Sequence, residues 1–162
     1  METMDLCITI RLATTADAVS IAKMSRDLIE HGLGWSWIPP RVQRSIDDAQ
    51  TNVAVALVRG LPVGFGIMKY QESEAHLLLL AVQPSCGRQG IGSALVGWLE
   101  ATALTAGIGQ VYLEARAANV GARLFYRRLG YREIQSVPGY YQGLEASVRM
   151  AKDLWLEPAP SA

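Results

Sequence analysis

The sequence predicts an α/β (α+β) fold in which a central mixed sheet is flanked by helices. Three observations predict it. The apolar patterning runs strand, two helices, three strands, then alternating helices and strands. The stretch "EAHLLLLAV" (74–82) is almost unbroken in its apolar character, as for a strand buried on both faces in the parallel part of a sheet. It is followed by "GRQGIGS" (87–93), whose three glycines sit where a strand gives way to a helix.

Each element follows from local chemistry. "CITIRLA" alternates as a first strand. "TTADAVSIAKMSRDLIEHGLG" predicts one helix with Ala18, Ile21, Ala22, Ser25, Leu28 and Ile29 on a shared face, capped by Thr14 or Thr15 and ended by Gly32 and Gly34. "WSWIPP" is a loop whose prolines suit the first turn of a short helix carrying Val42, Ile46 and Ala49. "NVAVALV", "RGLP" and "VGFGIMKY" read as strand, turn and strand. Beyond the glycines, "SALVGWLEATALTAG" is a helix, "QVYLEAR" a strand, and "NVGARLFYRRLG" a helix capped by Asn119. "YREIQSV" and "EASVRMAKDL" are final strands around "PGYYQG". No repeat or linker divides residues 1–162, so one domain is expected, with a tail frayed from about residue 157.

The bulk composition narrows the function. A chain of 162 residues buries roughly 70% of its unfolded surface without metals or disulfides. Its formal net charge is zero, which favours neither nucleic acid nor a membrane as partner. Cys7 and Cys86 make no disulfide framework and lack zinc-site spacing. The opening "METMDLCITIRL" lacks a signal peptide's basic-then-apolar layout, so a cytoplasmic protein is expected.

The glycines point to a phosphate, because unpaired amides at a helix N-terminus bind anions. A P-loop needs a lysine where Ser93 stands. A dinucleotide fingerprint needs a third glycine where Leu95 stands, although Glu114 lies about where a ribose-binding acid would. What remains is the pattern Q/R-x-x-G-x-G/A, with Gly90 and Gly92 in place among Arg88, Gln89, Ile91 and Ser93, and Gly87 standing in for the usual Gln or Arg. This resembles the pyrophosphate-binding motif of the GNAT N-acetyltransferases, whose element order the whole chain also resembles. The resemblance implies acetyl-CoA as acetyl donor. It also implies that the backbone of Leu80, Ala81 and Val82 pairs with the pantetheine arm, and that an amide there steadies the thioester oxygen.

"LEARAANVGARLFYRRLGY" resembles the ribosomal-protein-alanine N-acetyltransferase branch in the order L-E-x-R-x-x-N, then a helix ending in Tyr and L-G-Y. On that match Glu114 is the general base acting through water, Tyr126 is the acid that protonates the CoA sulfur, and Asn119 bonds the pantetheine. A phenol with a pKa of about 10 can donate to a thiolate whose acid lies near about 8.5. From the residues alone, Glu114 also fits a wetter strand face near Arg116, and Tyr126 fits a core aromatic beside Ala122, Phe125 and Leu129. His76 reads as structural, and Cys86 as a small loop residue.

Two segments are candidates for the acceptor side: Trp35 and Trp37 in "EHGLGWSW", and Tyr140 and Tyr141 in "GYYQGLEA". A peptide or protein α-amine leads as acceptor, ahead of a small-molecule amine and a lysine side chain. The rival from another class is a non-catalytic acetyl-CoA-binding regulatory domain. Local acidity from Glu30, Glu72 and Glu74 favours a cationic acceptor. The resemblance also allows a homodimer paired through C-terminal strands.

Overall fold

A computed structural model describes residues 7–86, 90–139 and 145–156 of the chain. Seven strands form one sheet in the order β1-β2-β3-β4-β5-β7-β6. They are β1 (Ile8–Leu12), β2 (Thr51–Val58), β3 (Leu61–Tyr70), β4 (Ala75–Val82), β5 (Gln110–Arg116), β6 (Arg132–Val137) and β7 (Ser147–Asp153). Helices α1 (Ala18–Met24), α2 (Pro39–Asp47), α3 (Ile91–Thr105) and α4 (Val120–Arg128) join them. Every pairing is antiparallel except β4 with β5. The predicted mixed sheet with flanking helices is therefore what the chain forms. No helix among the described residues is long and apolar enough to cross a membrane.

The two faces of the sheet carry separate cores. On one face Ile91, Leu95, Leu99 and Ala103 of α3 pack on Ala54, Met68, Leu77, Val111 and Leu113. On the other, Ile21, Ala22 and Met24 of α1 and Val42 of α2 pack on Val53, Val55, Phe65 and Ile67. β4 changes its allegiance midway. Ala75 and Leu77 face α3, but so do Leu80 and Val82, while Ala81 faces α1 and α2. The parity flips because the register with β3 slips between Ile67 and Met68, leaving Leu78 as an extra residue. The "LLLL" run tolerates this slip because every side chain in it suits either core.

α3 lies close over β3 because Gly64 and Gly66 stand beneath it. A methyl group on Gly66 would lie 2.8 Å from Leu99 Cδ1, and one on Gly64 would lie 2.9 Å from the Ala81 carbonyl oxygen.

The long helix expected over 14–34 is broken into parts. A 3-10 turn (Thr15–Asp17) leads into α1, which loosens into a π-helical turn over Ser25–Ile29. Asp17 anchors the start. It accepts from the Thr14 amide and from Arg11, each at 2.7 Å, and the Arg11 bond holds its carboxyl below the ordinary aspartate range. Glu30 anchors the end. It is buried at 7% exposure and accepts from Ser36 Oγ (2.6 Å), the Ser36 amide (2.7 Å), Ser25 Oγ (2.9 Å) and the Trp37 amide (3.3 Å). Burial opposes its charge, but these donors outweigh burial and hold the carboxyl below the ordinary glutamate range. The sequence reading counted Glu30 as surface acidity. It is spent inside the loop instead, closing the chain between α1 and α2.

Two predictions follow from this packing, both read by urea denaturation. Gly64→Ala must displace a backbone carbonyl and lose about 1–3 kcal/mol, whereas Gly97→Ala, with nothing within 4 Å of the added carbon, gains about 0.5–1 kcal/mol in mid-helix. Glu30→Gln loses about 1–3 kcal/mol near neutrality. Because the folded Glu30 carboxyl is depressed, its contribution is complete above the unfolded value of about 4.3 and fades as pH falls through the folded value. Wild type and variant therefore converge on acidification.

Candidate active site

The site opens where β4 and β5 part. They pair only through Ala75–Val111, His76–Tyr112 and Leu77–Leu113, and beyond Leu77 the edge of β4 toward β5 has no strand partner. Gln83 donates its amide to Val63 of the neighbouring β3 stretch at 2.7 Å. By strand alternation Ala81 shares that side, so the peptide groups of Leu80 and Val82 face the opening. Of the backbone segment singled out in the sequence, those two residues present polar groups to a ligand.

On the α3 side, Leu80, Ala81 and Val82 line a cleft of about 410 Å³ together with Gly90, Ile91, Gly92 and Ser93. Gly90 caps α3 at φ +77°, a left-handed backbone that favours glycine. The first helical hydrogen bond runs from Ala94 N to Gly90 O at 2.9 Å, so the amides of Ile91, Gly92 and Ser93 precede the ladder and are free to hold an anion. Gly92 has a further duty, since a Cβ there would sit 3.2 Å from Phe125 Cζ of α4. Arg88 and Gln89 lie outside the described residues. Three residues that sequence reasoning did not place here complete the cleft: Cys86, Phe125 and Arg128. Arg128 has a legible signal, a basic residue one turn from the end of the α4 motif. Its partnership with a glycine loop some forty residues earlier has none.

On the opposite side of Leu80, a second cavity of about 310 Å³ is lined by Leu28, Ile29, Glu114, Arg116, Asn119 and Tyr126, among others. The structure thus brings Glu114, Tyr126 and Asn119 to one cavity. As the period of β5 predicts, Val111, Leu113 and Ala115 are buried, and Glu114 and Arg116 take the other face. Glu114 Oε1 accepts from Arg149 Nη2 at 2.9 Å across the strand pair. Tyr126 lies against Phe125 and Tyr131, and its hydroxyl has no hydrogen-bond partner among the described residues. Burial pushes its phenol well above the ordinary tyrosine range, so it stays protonated as a donor. Asn119 Oδ1 caps α4 by accepting from Ala122 N at 3.0 Å, as predicted.

The acceptor side divides the predicted aromatics. Trp37 is 9% exposed and belongs to the α1 and α2 core, with Arg41 stacked 3.9 Å from its ring centre. A tryptophan in this loop can either meet a substrate or plug the core, and the burial of Trp37 favours the core. Trp35 is 38% exposed, tied by Nε1 to Ala22 O at 3.2 Å, with the Arg26 guanidinium 5.3 Å from its ring centre. Tyr140 and Tyr141 lie outside the described residues. His76 stacks on Tyr112 with centroids 4.2 Å apart, and burial lowers its pKa below the ordinary histidine range. Cys86 is a free thiol in the 3-10 turn before the glycine loop.

Comparison with known proteins agrees with this geometry. Residues 22–131 match the model of the acetyltransferase (GNAT) family. An uncharacterized N-acetyltransferase of Methanocaldococcus jannaschii is 37% identical over 99 residues, covering 60% of this chain and 64% of that protein. The [ribosomal protein bS18]-alanine N-acetyltransferase of Escherichia coli K12 is 35% identical over 95 residues, covering 57% and 64% respectively. The match therefore spans just under two thirds of the length of these curated relatives. The crystal structure of Ard1 from Thermoplasma volcanium superposes with a TM-score of 0.79 at 27% identity, covering 94% of this chain and 100% of that one. Family model, relatives and fold agree, and the chain belongs to the GNAT acetyltransferase family.

Proposed function

We propose that the protein transfers an acetyl group from acetyl-CoA to a primary amine, with the N-terminal α-amine of a peptide or protein as leading acceptor. The observation that carries this is the opening between β4 and β5, which joins the glycine-capped cleft to the cavity holding Glu114 and Tyr126 through a shared Leu80. The cleft fits coenzyme A. Ile91, Gly92 and Ser93 would offer amides to its pyrophosphate, the peptide groups of Leu80 and Val82 face the opening that an extended pantetheine arm would fill, and Arg128 adds a cation at the rim. The thioester supplies an activated acetyl carbonyl when it is bound.

The chain's own groups then meet the demands of the reaction. Glu114 takes the proton from the incoming ammonium through water, freeing the nitrogen lone pair. The nitrogen forms a bond to the carbonyl carbon while a backbone N–H of the β4 segment steadies the oxygen. The carbon–sulfur bond breaks as Tyr126 donates its proton to the departing sulfur, and the second proton, shed by the new amide nitrogen, returns the phenolate to its neutral form. Asn119, whose Oδ1 is spent on the cap, uses its Nδ2 to hold the pantetheine amide. The names of the relatives favour the α-amine, since one is described as acting on a ribosomal-protein alanine.

Incubation with acetyl-CoA and peptides bearing either free or blocked N-termini, the blocked ones carrying lysine, tests this by mass spectrometry. Acetylation of free α-amines is expected, with Glu114→Gln lowering kcat about 100-fold or more and Tyr126→Phe lowering it about 10- to 100-fold while acetyl-CoA still binds. Bound acetyl-CoA without turnover on any amine would instead identify a regulatory domain.

A further inference from the structure

We infer that the preferred acceptor carries a carboxylate close to its reactive amine and that Arg149 is the residue that reads it; this rests on Glu114 being the group that meets the amine. Glu114 and Arg149 oppose each other across β5 and β7, and their side chains are 39% and 38% exposed, open to an arriving ligand. Glu114 is the sole acid at ion-pair distance from Arg149 among the described residues. The Nε of Arg149 is buried with no hydrogen-bond partner among the described residues, and Glu114 is its main compensation, with Glu74 contributing at longer range. The guanidinium is also held from behind. It lies 5.1 Å from the Tyr112 ring centre, and Tyr112 stacks on His76.

Arg116 stands two residues beyond Glu114 on the same face of β5, bonded to the Ile29 carbonyl oxygen at 3.3 Å and without an acidic partner among the described residues. The acceptor therefore meets one carboxylate flanked by two guanidinium groups. An ammonium that engages Glu114 competes with Arg149 for it. A purely cationic acceptor, such as a polyamine or a lysine in a basic peptide, would leave Arg149 without its ion-pair partner beside a new positive charge, with only the more distant Glu74 to offset it. An amine with a neighbouring carboxylate exchanges partners without loss, the ammonium taking Glu114 and the carboxylate taking the planar fork of Arg149. Free α-amino acids have this chemistry, and so do peptides with Asp or Glu among their first two residues.

The test measures kcat/KM with saturating acetyl-CoA for free amino acids and for peptides whose second residue is Asp, Ala or Lys, in wild type, Arg149→Met and Arg149→Glu. Circular dichroism and urea midpoints confirm that the variants fold. In wild type the Asp peptide or the free amino acid is expected to exceed the Lys peptide by about tenfold, and which of the two leads identifies the source of the carboxylate. Arg149→Met should erase that ratio, and Arg149→Glu should invert it toward the Lys peptide. A wild-type preference for Lys, no preference, or a preference unchanged in both variants would overturn the inference while leaving α-amine transfer standing. Acetylation confined to lysine side chains of blocked peptides would overturn the α-amine reading and this inference together.

Discussion

Strands β4 and β5 hold each other through three residue pairs and then diverge, and the placement of every candidate group depends on that divergence. Neither strand is free to close the gap. β5 is committed along its whole length to β7, from Gln110–Asp153 to Arg116–Ser147. β4 is committed to β3, and the slip at Leu78 turns its later residues relative to its earlier ones. The sheet therefore carries an interior edge, with peptide groups of Leu80 and Val82 aimed at solvent. Unpaired backbone groups inside a protein are costly unless something satisfies them. An extended amide-bearing chain is a natural complement, because it pairs as a further strand would.

The same divergence separates two surfaces. α3 and α4 cover one face and supply the anion cradle and the Tyr126 hydroxyl. α1 and α2 cover only part of the other face, so Glu114, Arg116 and Arg149 stand at a surface that a second molecule can approach. Tyr126 is half-buried against the α3 core, where desolvation raises its phenol above the ordinary tyrosine range. Glu114 stands open to solvent, paired with Arg149. The two groups thus meet different surroundings because they enter the opening from different faces.

How much of this was legible in the sequence depends on distance along the chain. Local signals held: the Asn119 cap, the alternation of β5, and the glycine turn before α3 are all stated within a few residues. Long-range consequences did not. The Glu114–Arg149 pair joins residues 35 apart, and the final strand order β5-β7-β6 that creates it is not written in either segment. The break in α1 was hidden because Ser25, Leu28 and Ile29 keep helical spacing across a π-turn that Glu30 and its loop donors impose from outside. Trp37 and Trp35 are two residues apart in one loop, yet one fills the core and the other faces outward, a choice made by tertiary packing alone.

The glycine motif shows how a single sequence pattern can combine unrelated demands. Gly90 is required by its backbone, since φ +77° at the helix cap strains any residue with a Cβ although nothing lies within 4 Å of where that carbon would be. Gly92 has no such dihedral constraint but must admit Phe125, which is 3.2 Å from the site of its missing Cβ. The first glycine shapes the anion cradle. The second draws α4 against α3, and α4 carries Tyr126 and Arg128. A side chain at Gly92 would act on the chemistry through helix packing, by shifting Tyr126 relative to the opening, while the amides of the cradle stayed in place. The spacing G-x-G is therefore set by two demands at once, one of backbone conformation and one of helix packing, which is why neither glycine is exchangeable for the other.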